Sequence, residues 1–258
     1  MSHLPRLAPV LILLPPSEGK TPARRGRSLE LGTLSFPELT PLRESLLETV
    51  ARVSGEPEAA RVLDVNPNLV GDIERNVRLL TAPTATASRV YTGVLYQALD
   101  VDSLDAASKR RANRWVVVVS ALFGALRLDD RVPAYRVNIC STLPGIGSLS
   151  HEWRQELKTA LDAAVKPREL VVDCRSSTYA AVWRPTGERA ERWVHVTVPG
   201  ASHMAKHTRG LVTRELVQAQ APRTPQALAE RLSERFEVAL TPPDRAGRPW
   251  QLATTPRA

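Results

Sequence analysis

The sequence predicts a mixed α/β fold: one domain with a central sheet and helices around it. Three short apolar runs, residues 11–14, 115–119 and 169–174, are typical of strands buried on both faces. With 258 residues, of which 43% are hydrophobic, the chain is long enough to bury a sizeable core. We therefore treat residues 1–258 as a single domain.

The first of these strands ends in a compact polar cluster. Pro15 and Pro16 stop the strand because proline cannot donate a ladder hydrogen bond. The residues that follow are Ser17, Glu18, Gly19, Lys20 and Thr21. α/β proteins bind ligands at the carboxyl ends of strands, so this cluster is a candidate wall of a site. Taken alone, its spacing fits an ordinary exit from a strand into a solvated loop better than it fits a site.

The other two strands also end in polar residues. One ends at Ser120, and the other brings Asp173, Arg175 and Ser176 to its end. If the three ends converge, they form a pocket in which Glu18 or Asp173 acts as general acid or base. Lys20 is then a nucleophile or an electrostatic stabiliser. The alternative is that these carboxylates only form salt bridges with neighbouring arginines.

Tyrosines and cations elsewhere add candidate contacts for an anion or a base. Tyr91 and Thr92 stand where a strand end turns into a helix, so they can hold a ligand, cap the helix or lie in the core. The adjacent Tyr135 and Arg136 can stack on a base or clamp a phosphate. A long helix predicted over 202–220 carries Lys206 and Arg209, and this basic face either binds an anion or is solvated.

The remaining elements are predicted from periodicity and turn residues. Amphipathic spacing indicates helices over 37–53, 66–80, 103–114 and 224–236. Residues 179–184 and 192–198 alternate enough to form paired strands, and 250–254 is a candidate edge strand. The loop 143–147, Leu-Pro-Gly-Ile-Gly, is similar to the hairpin of helix-hairpin-helix DNA-binding modules. No helix is predicted before it, however, so a plain glycine-proline loop is the alternative.

Composition favours an anionic partner. The net charge is +8 and the pI is near 10.1, which gives a modest argument for nucleic acid. Residues 22–35 are rich in arginine and glycine, and are either a solvated connector or a mobile basic flap.

The composition gives no indication of a metal site or a membrane segment. The two cysteines, Cys140 and Cys174, and the five histidines are scattered without ligand spacing. We therefore predict no metal and no cofactor, and an iron-binding protein is the weakest hypothesis. No run approaches 18 apolar residues, so no membrane span is predicted, and the protein is expected in the cytoplasm.

Several of these stretches occur together and in order along the chain, and it is their combination that resembles a known family. They are the Pro-Pro-Ser-Glu-Gly-Lys-Thr segment at 15–21, Val-Tyr-Thr-Gly at 90–93, residues 120–136, Val-Asp-Cys-Arg-Ser at 172–176 with Tyr179, and Lys206 with Arg209-Gly210. Together they resemble the YaaA peroxide-stress protein family. The best-known members read Ser-Pro-Ala-Lys-Thr at the first motif, where this chain has a longer form.

The resemblance implies a single α/β domain with a positively charged cleft. It also implies a cytoplasmic protein that limits oxidative damage during hydrogen peroxide stress and binds DNA through a helix-hairpin-helix-like element. Under that hypothesis Lys20, Arg136, Arg175, Lys206 and Arg209 bind phosphates, and Tyr91 and Tyr135 offer stacking faces. The alternative is an enzyme that acts on a nucleobase, nucleotide or other anionic heterocycle in the pocket formed by the three strand ends.

Overall fold

The computed structural model describes residues 10–200 and 202–257, and its centre is a seven-stranded sheet in the order β10-β11-β9-β8-β1-β3-β4. Two short antiparallel pairs, β2 with β5 and β6 with β7, lie outside it. The strands are β1 (Val10–Leu14), β2 (Ala85–Thr86), β3 (Val116–Ser120), β4 (Gly124–Leu126), β5 (Arg131–Val132), β6 (Thr142–Leu143), β7 (Gly147–Ser148), β8 (Leu170–Asp173), β9 (Trp193–Thr197), β10 (Phe236–Thr241) and β11 (Trp250–Pro256).

The interior of the sheet is parallel and its two edges are antiparallel. Strand β1 pairs with β3 on one side and with β8 on the other, and the parallel pairing continues through β9 to β11. Strands β4 and β10 run antiparallel to their neighbours at the edges. Every residue of β1, β3 and β8 is buried, as expected for strands covered on both faces. The carboxyl ends of these three strands therefore lie along the same edge of the sheet.

Helices cover the sheet, and most are short. They are α1 (Thr40–Val53), α2 (Ala59–Val62), α3 (Val70–Glu74), α4 (Ala87–Val90), α5 (Val94–Leu99), α6 (Ala106–Trp115), α7 (Leu149–Ala164), α8 (Ser177–Ala180), α9 (Ser202–Gln218) and α10 (Pro225–Ser233). Short 3-10 helices lie at Leu31–Thr33, Pro37–Leu39, Pro67–Leu69, Arg75–Arg78, Val101–Ser103 and Gly187–Arg192. Helix α6 packs on β1 and β3, α7 on β4, α10 on β10, and α9 on β11, α5 and α6.

The predicted fold class is confirmed, with local differences. The helix expected over 66–80 is divided into α3 between two 3-10 turns, and Asn66 caps the start of the first turn by accepting from the backbone N–H of Asn68. Residues 250–256 form an interior strand instead of an edge, because β10 pairs outside β11. No strand forms over 179–184, where the chain instead makes one turn of helix, α8, and irregular backbone.

The loop 143–147 joins β6 to β7 as a tight β-hairpin. Helix α7 follows it directly, but residues 133–141 before it contain no helix. The structure therefore does not show a helix-hairpin-helix element.

A glycine sets how closely α5 and α9 approach. A Cβ built at Gly210 of α9 would overlap the backbone oxygen of Leu95 and lie 2.8 Å from Cβ of Ala98 in α5. The absence of a side chain thus lets the two helix backbones touch. This contact holds the part of α9 that carries Lys206 against the part of α5 that carries Tyr96.

Gly210→Ala is expected to destabilise the protein by roughly 1–3 kcal/mol, because the added methyl must push a backbone aside in a packed interface. Urea unfolding of the variant measures this change in the free energy of unfolding. Gly71→Ala is the matched control: Gly71 is also helical, but it is exposed and its Cβ would meet open space, so that variant should be neutral or slightly stabilised. Equal stability of the two variants would contradict the packing argument.

Candidate functional site

A cavity of about 640 Å³ opens at the carboxyl ends of the parallel strands. The segment after β1 forms one wall, and α5, residues 136–140 and α9 contribute the others. The polar and charged residues in its lining are Ser17, Glu18, Lys20, Asp64, Asn66, Tyr96, Arg136, Asn138, Cys140, Ser176, Thr178, Tyr179, His203 and Lys206. Its volume lies in the range of small-molecule sites.

The wall after β1 is held by pairing with residues 90–93. The backbone N–H of Thr21 donates to the oxygen of Val90 at 2.9 Å, and that of Thr92 donates to Gly19 at 3.2 Å. The backbone N–H of Gly93 donates to Oγ of Ser17 at 2.7 Å. A Cβ at Gly93 would overlap this hydroxyl, so the contact requires glycine. We call residues 17–21 with 90–93 the latch.

The latch places the amine of Lys20 against aromatic rings. Its Nζ lies 4.3 Å from the ring centroid of Tyr135 and 5.7 Å from that of Tyr91, and donates to the backbone oxygen of Ser17 at 2.7 Å. Burial and, to a lesser extent, the charge of Arg136 lower the pKa of Lys20 to about 7, although the carboxylates of Glu18 and Asp72 oppose the shift. The neutral form of this amine is therefore far more populated near pH 7 than that of a fully solvated lysine side chain.

Arg136 and Glu18 flank the amine and contact each other. One guanidinium nitrogen of Arg136 donates to the backbone oxygen of Glu18 at 2.8 Å, and the other lies 3.9 Å from its carboxylate. The Glu18 side chain is 79% exposed whereas that of Arg136 is 16% exposed. This pair is thus weak in energy, since most of the carboxylate faces water.

A chain of buried hydroxyls supports the ring beneath Lys20. Oγ of Ser120 accepts from the backbone N–H groups of Leu122 and Phe123, so its own proton points to the hydroxyl of Tyr135 at 2.7 Å. The Tyr135 hydroxyl also lies 3.0 Å from that of Tyr91. Burial raises the pKa of Tyr135 to about 12 and that of Tyr91 well above its usual value. Both rings are therefore neutral, and Lys20 has no phenolate beside it.

Asp173 and Arg175 form a fully buried ion pair outside the cavity lining. Two guanidinium nitrogens of Arg175 donate to the two carboxylate oxygens of Asp173 at 2.8 and 2.7 Å, and the other side-chain hydrogen bonds of Arg175 go to the backbone oxygens of Tyr179 and Trp183. Burial acts to raise the pKa of Asp173, but the charge and hydrogen bonds of Arg175 outweigh it and lower that pKa. The geometry makes this pair the support of the loop after β8.

The structure brings some of the predicted site residues together and separates others. Ser17, Glu18, Lys20, Arg136, Ser176 and Lys206 line the cavity. Tyr91, Ser120 and Tyr135 lie behind the wall, Thr92 contacts Thr21 in the latch, and Arg209 donates to the backbone oxygen of Val196. Sequence reasoning did not select Asp64, Asn66, Tyr96, Asn138, Cys140, Thr178, Tyr179 or His203 as site residues. Of these, Asn66 begins a predicted helix, Tyr179 belongs to the family resemblance, and His203 lies on the predicted helix 202–220, where its spacing of four from His207 lacks the further ligands of a metal site.

The charge of the lining is mixed. Lys20, Arg136 and Lys206 face the carboxylates of Glu18 and Asp64, so the positively charged cleft stays a prediction. Within residues 10–200 and 202–257, no three His, Cys, Asp or Glu side chains form a group that could hold a metal ion. In that same part of the chain, no helix is both long and apolar enough to cross a membrane. Cys140 is exposed, whereas Cys174 is buried.

The fold and the cavity define an α/β protein with a ligand-sized site at the carboxyl edge of a largely parallel sheet. Residues 10–240 match the family model described as peroxide stress protein YaaA, so the chain belongs to that family. It is 45% identical to a UPF0246 protein of Streptomyces coelicolor over 253 residues, which cover 94% of this chain and 97% of the relative. It is 38% identical to a UPF0246 protein of Corynebacterium efficiens, with 83% and 86% covered.

Lys20 should react with amine-directed reagents at a lower pH than the other four lysines. Acetylation with limiting anhydride, quantified by peptide mass spectrometry across pH 5–11, should show a midpoint near 7 for Lys20, because burial favours its neutral form. A free lysine derivative in the same mixture serves as the control for a fully solvated amine, whose ordinary pKa is about 10.4. A Lys20 midpoint that coincides with that of the free derivative would contradict the burial of this amine.

Proposed function

We propose that this member of the peroxide stress protein YaaA family acts in the cytoplasm during hydrogen peroxide stress, and that it limits oxidative damage by binding DNA. Under this proposal the cavity receives one nucleotide unit of the strand. The supporting observation is that three separate segments bring Lys20, Arg136 and Lys206 around a cavity of about 640 Å³. Phosphate contacts from such cations supply most of the affinity of proteins for DNA.

Charge outside the cavity adds support. The chain carries a net charge of +8, and Arg24, Arg25 and Arg27 are exposed in the segment that follows the latch. These side chains can follow a phosphate backbone beyond the cavity rim. Lys206 is exposed at the rim on α9, where a phosphate can reach it without any change in the core.

DNA binding should weaken steeply with salt, and Lys206→Ala should reduce that dependence. Each lost phosphate contact lowers the slope of log K against log salt by about 0.9 on duplex DNA. Fluorescence anisotropy with duplex and gapped DNA, from low to physiological salt, measures this slope. Lys166→Ala is the matched control, because Lys166 is exposed near the amino end of β8, away from the cavity. Absence of binding at low salt would rule out the proposal.

A second candidate function is catalysis on a nucleobase, a nucleotide or another anionic heterocycle. The specific observation in its favour is the amine of Lys20, since DNA docking alone needs a charged lysine and not one with a pKa of about 7. In this hypothesis Lys20 is the nucleophile or electrostatic group, Glu18 is the general acid or base, and Arg136 holds the anion. Asp173, the other predicted acid or base, would have to leave its ion pair with Arg175 to take part.

If the cavity binds such a compound, a saturating ligand should raise the Tm by about 5 °C or more at a hundredfold excess over Kd. A thermal-shift panel of bases, nucleosides and nucleotides tests this, with chromatography of the mixtures to detect conversion. Arg136→Gln should abolish the shift for the phosphorylated compounds, and Arg184→Gln, outside the cavity, should not. A panel in which no compound shifts the Tm would contradict this function.

A further inference from the structure

The cavity combines three chemical features that a single ligand class satisfies. It contains a half-buried primary amine, cations that can hold a phosphate, and, among apolar side chains, hydroxyl and amide groups from Ser17, Asn66, Asn138, Ser176 and Thr178. Hydroxyl and amide groups suit a polyhydroxylated ligand better than a planar ring. A sugar that carries both a phosphate and a free aldehyde matches all three features.

We propose that Nζ of Lys20 condenses with the aldehyde of a phosphorylated sugar to form a Schiff base. This inference rests on the proposed ligand site, and it names the substrate class of that site. The aldehyde has two chemical sources: a free sugar phosphate, or the open-chain deoxyribose of an abasic site in DNA.

The surroundings of the amine leave it available for this reaction. In the described part of the chain, no carboxylate lies within ion-pairing distance of Nζ, because the nearby Glu18 is directed to Arg136. The contacts of Nζ are the backbone oxygen of Ser17 and the faces of Tyr135 and Tyr91, none of which consumes the lone pair of a neutral amine. A pKa of about 7 makes the neutral form abundant at neutral pH.

The cations of the cavity can hold the phosphate. Arg136 uses one guanidinium nitrogen for the backbone oxygen of Glu18, so its fork keeps further N–H donors for an anion. Lys206 lines another part of the cavity from α9. The phosphate would thus be held by these two groups, while the aldehyde reaches the uncharged amine.

The condensation balances without a redox partner. The lone pair of Nζ forms a bond to the carbonyl carbon, and the carbonyl oxygen takes a proton to give a carbinolamine. That oxygen then leaves as water, with one proton from the amine or from the medium, and a carbon–nitrogen double bond remains. Glu18 is the flanking carboxyl group and, with 79% of its side chain exposed, can exchange protons with solvent during both steps.

Reductive trapping tests the proposal in two arms. The intact protein is incubated with cyanoborohydride and either 2-deoxyribose 5-phosphate or a duplex that carries one abasic site. Hydride reduces the double bond to a stable secondary amine, and peptide mass spectrometry locates the adduct. We expect the adduct on Lys20, in excess over each other lysine by on the order of a hundredfold, because the cavity holds the phosphorylated sugar with its aldehyde beside this amine.

Two variants and one parallel measurement separate the outcomes. Lys20→Arg should abolish trapping, while Lys166→Arg should trap like the wild type. Should the Lys20 variant fail to fold, the position of the adduct in the wild type still decides. An adduct in one arm identifies which source supplies the aldehyde. No adduct in either arm, or labelling spread evenly over the five lysines, overturns the Schiff base.

Anisotropy with intact duplex in the same samples keeps the two proposals apart. Duplex binding without an adduct removes the Schiff base and leaves the DNA-binding function. An adduct with the free sugar phosphate, without duplex binding, supports the Schiff base and removes the DNA-binding function.

Discussion

The site depends on the latch between residues 17–21 and 90–93. A strand that ends in two prolines would ordinarily continue into solvent, but the backbone pairing with residues 90–92 and the hydrogen bond from Gly93 to Ser17 turn the segment back across the sheet edge. Each such bond contributes only about 1 kcal/mol on its own. Together they determine which way Lys20 points, and the Schiff base and DNA contacts proposed for it depend on that direction.

The position of Lys20 also sets its charge. A lysine with water on all sides keeps its proton far above neutral pH, whereas this amine lies against two neutral tyrosine rings and near the guanidinium of Arg136. The ring faces do attract a cation, by about 1–2 kcal/mol in a desolvated setting. That attraction is smaller than the combined free-energy cost that burial and the nearby charge of Arg136 impose on the charged amine. The neutral form of Lys20 is therefore more populated than in a solvated lysine.

The three buried strands and their polar ends could be predicted because continuous β-branched and aliphatic runs have few alternative structures. The roles of individual side chains could not. Arg175 was a candidate anion ligand, but an aspartate two residues earlier takes its guanidinium in the core. Arg43, on an otherwise amphipathic helix, is fully buried and donates to the backbone oxygens of Phe123, Ser35 and Ala125. Backbone oxygens distant in sequence leave no signal in the residues themselves. The rim residue Asp64 was missed for the same reason, since only the tertiary fold brings it to the cavity.

In the proposals made above, the groups that attract an anion to this cavity differ from the group that reacts with it. With every group ionised, three cations face two carboxylates, a formal charge of +1, and with Lys20 neutral the balance is zero. When the Lys20 amine is neutral, and therefore reactive, the cavity alone exerts little long-range electrostatic attraction on a polyanion. Long-range attraction must come from outside, where Arg24, Arg25 and Arg27 are exposed. Inside, the proposals give Arg136 and Lys206, which line the cavity, the role of holding the phosphate, and they leave the neutral amine of Lys20 free to react.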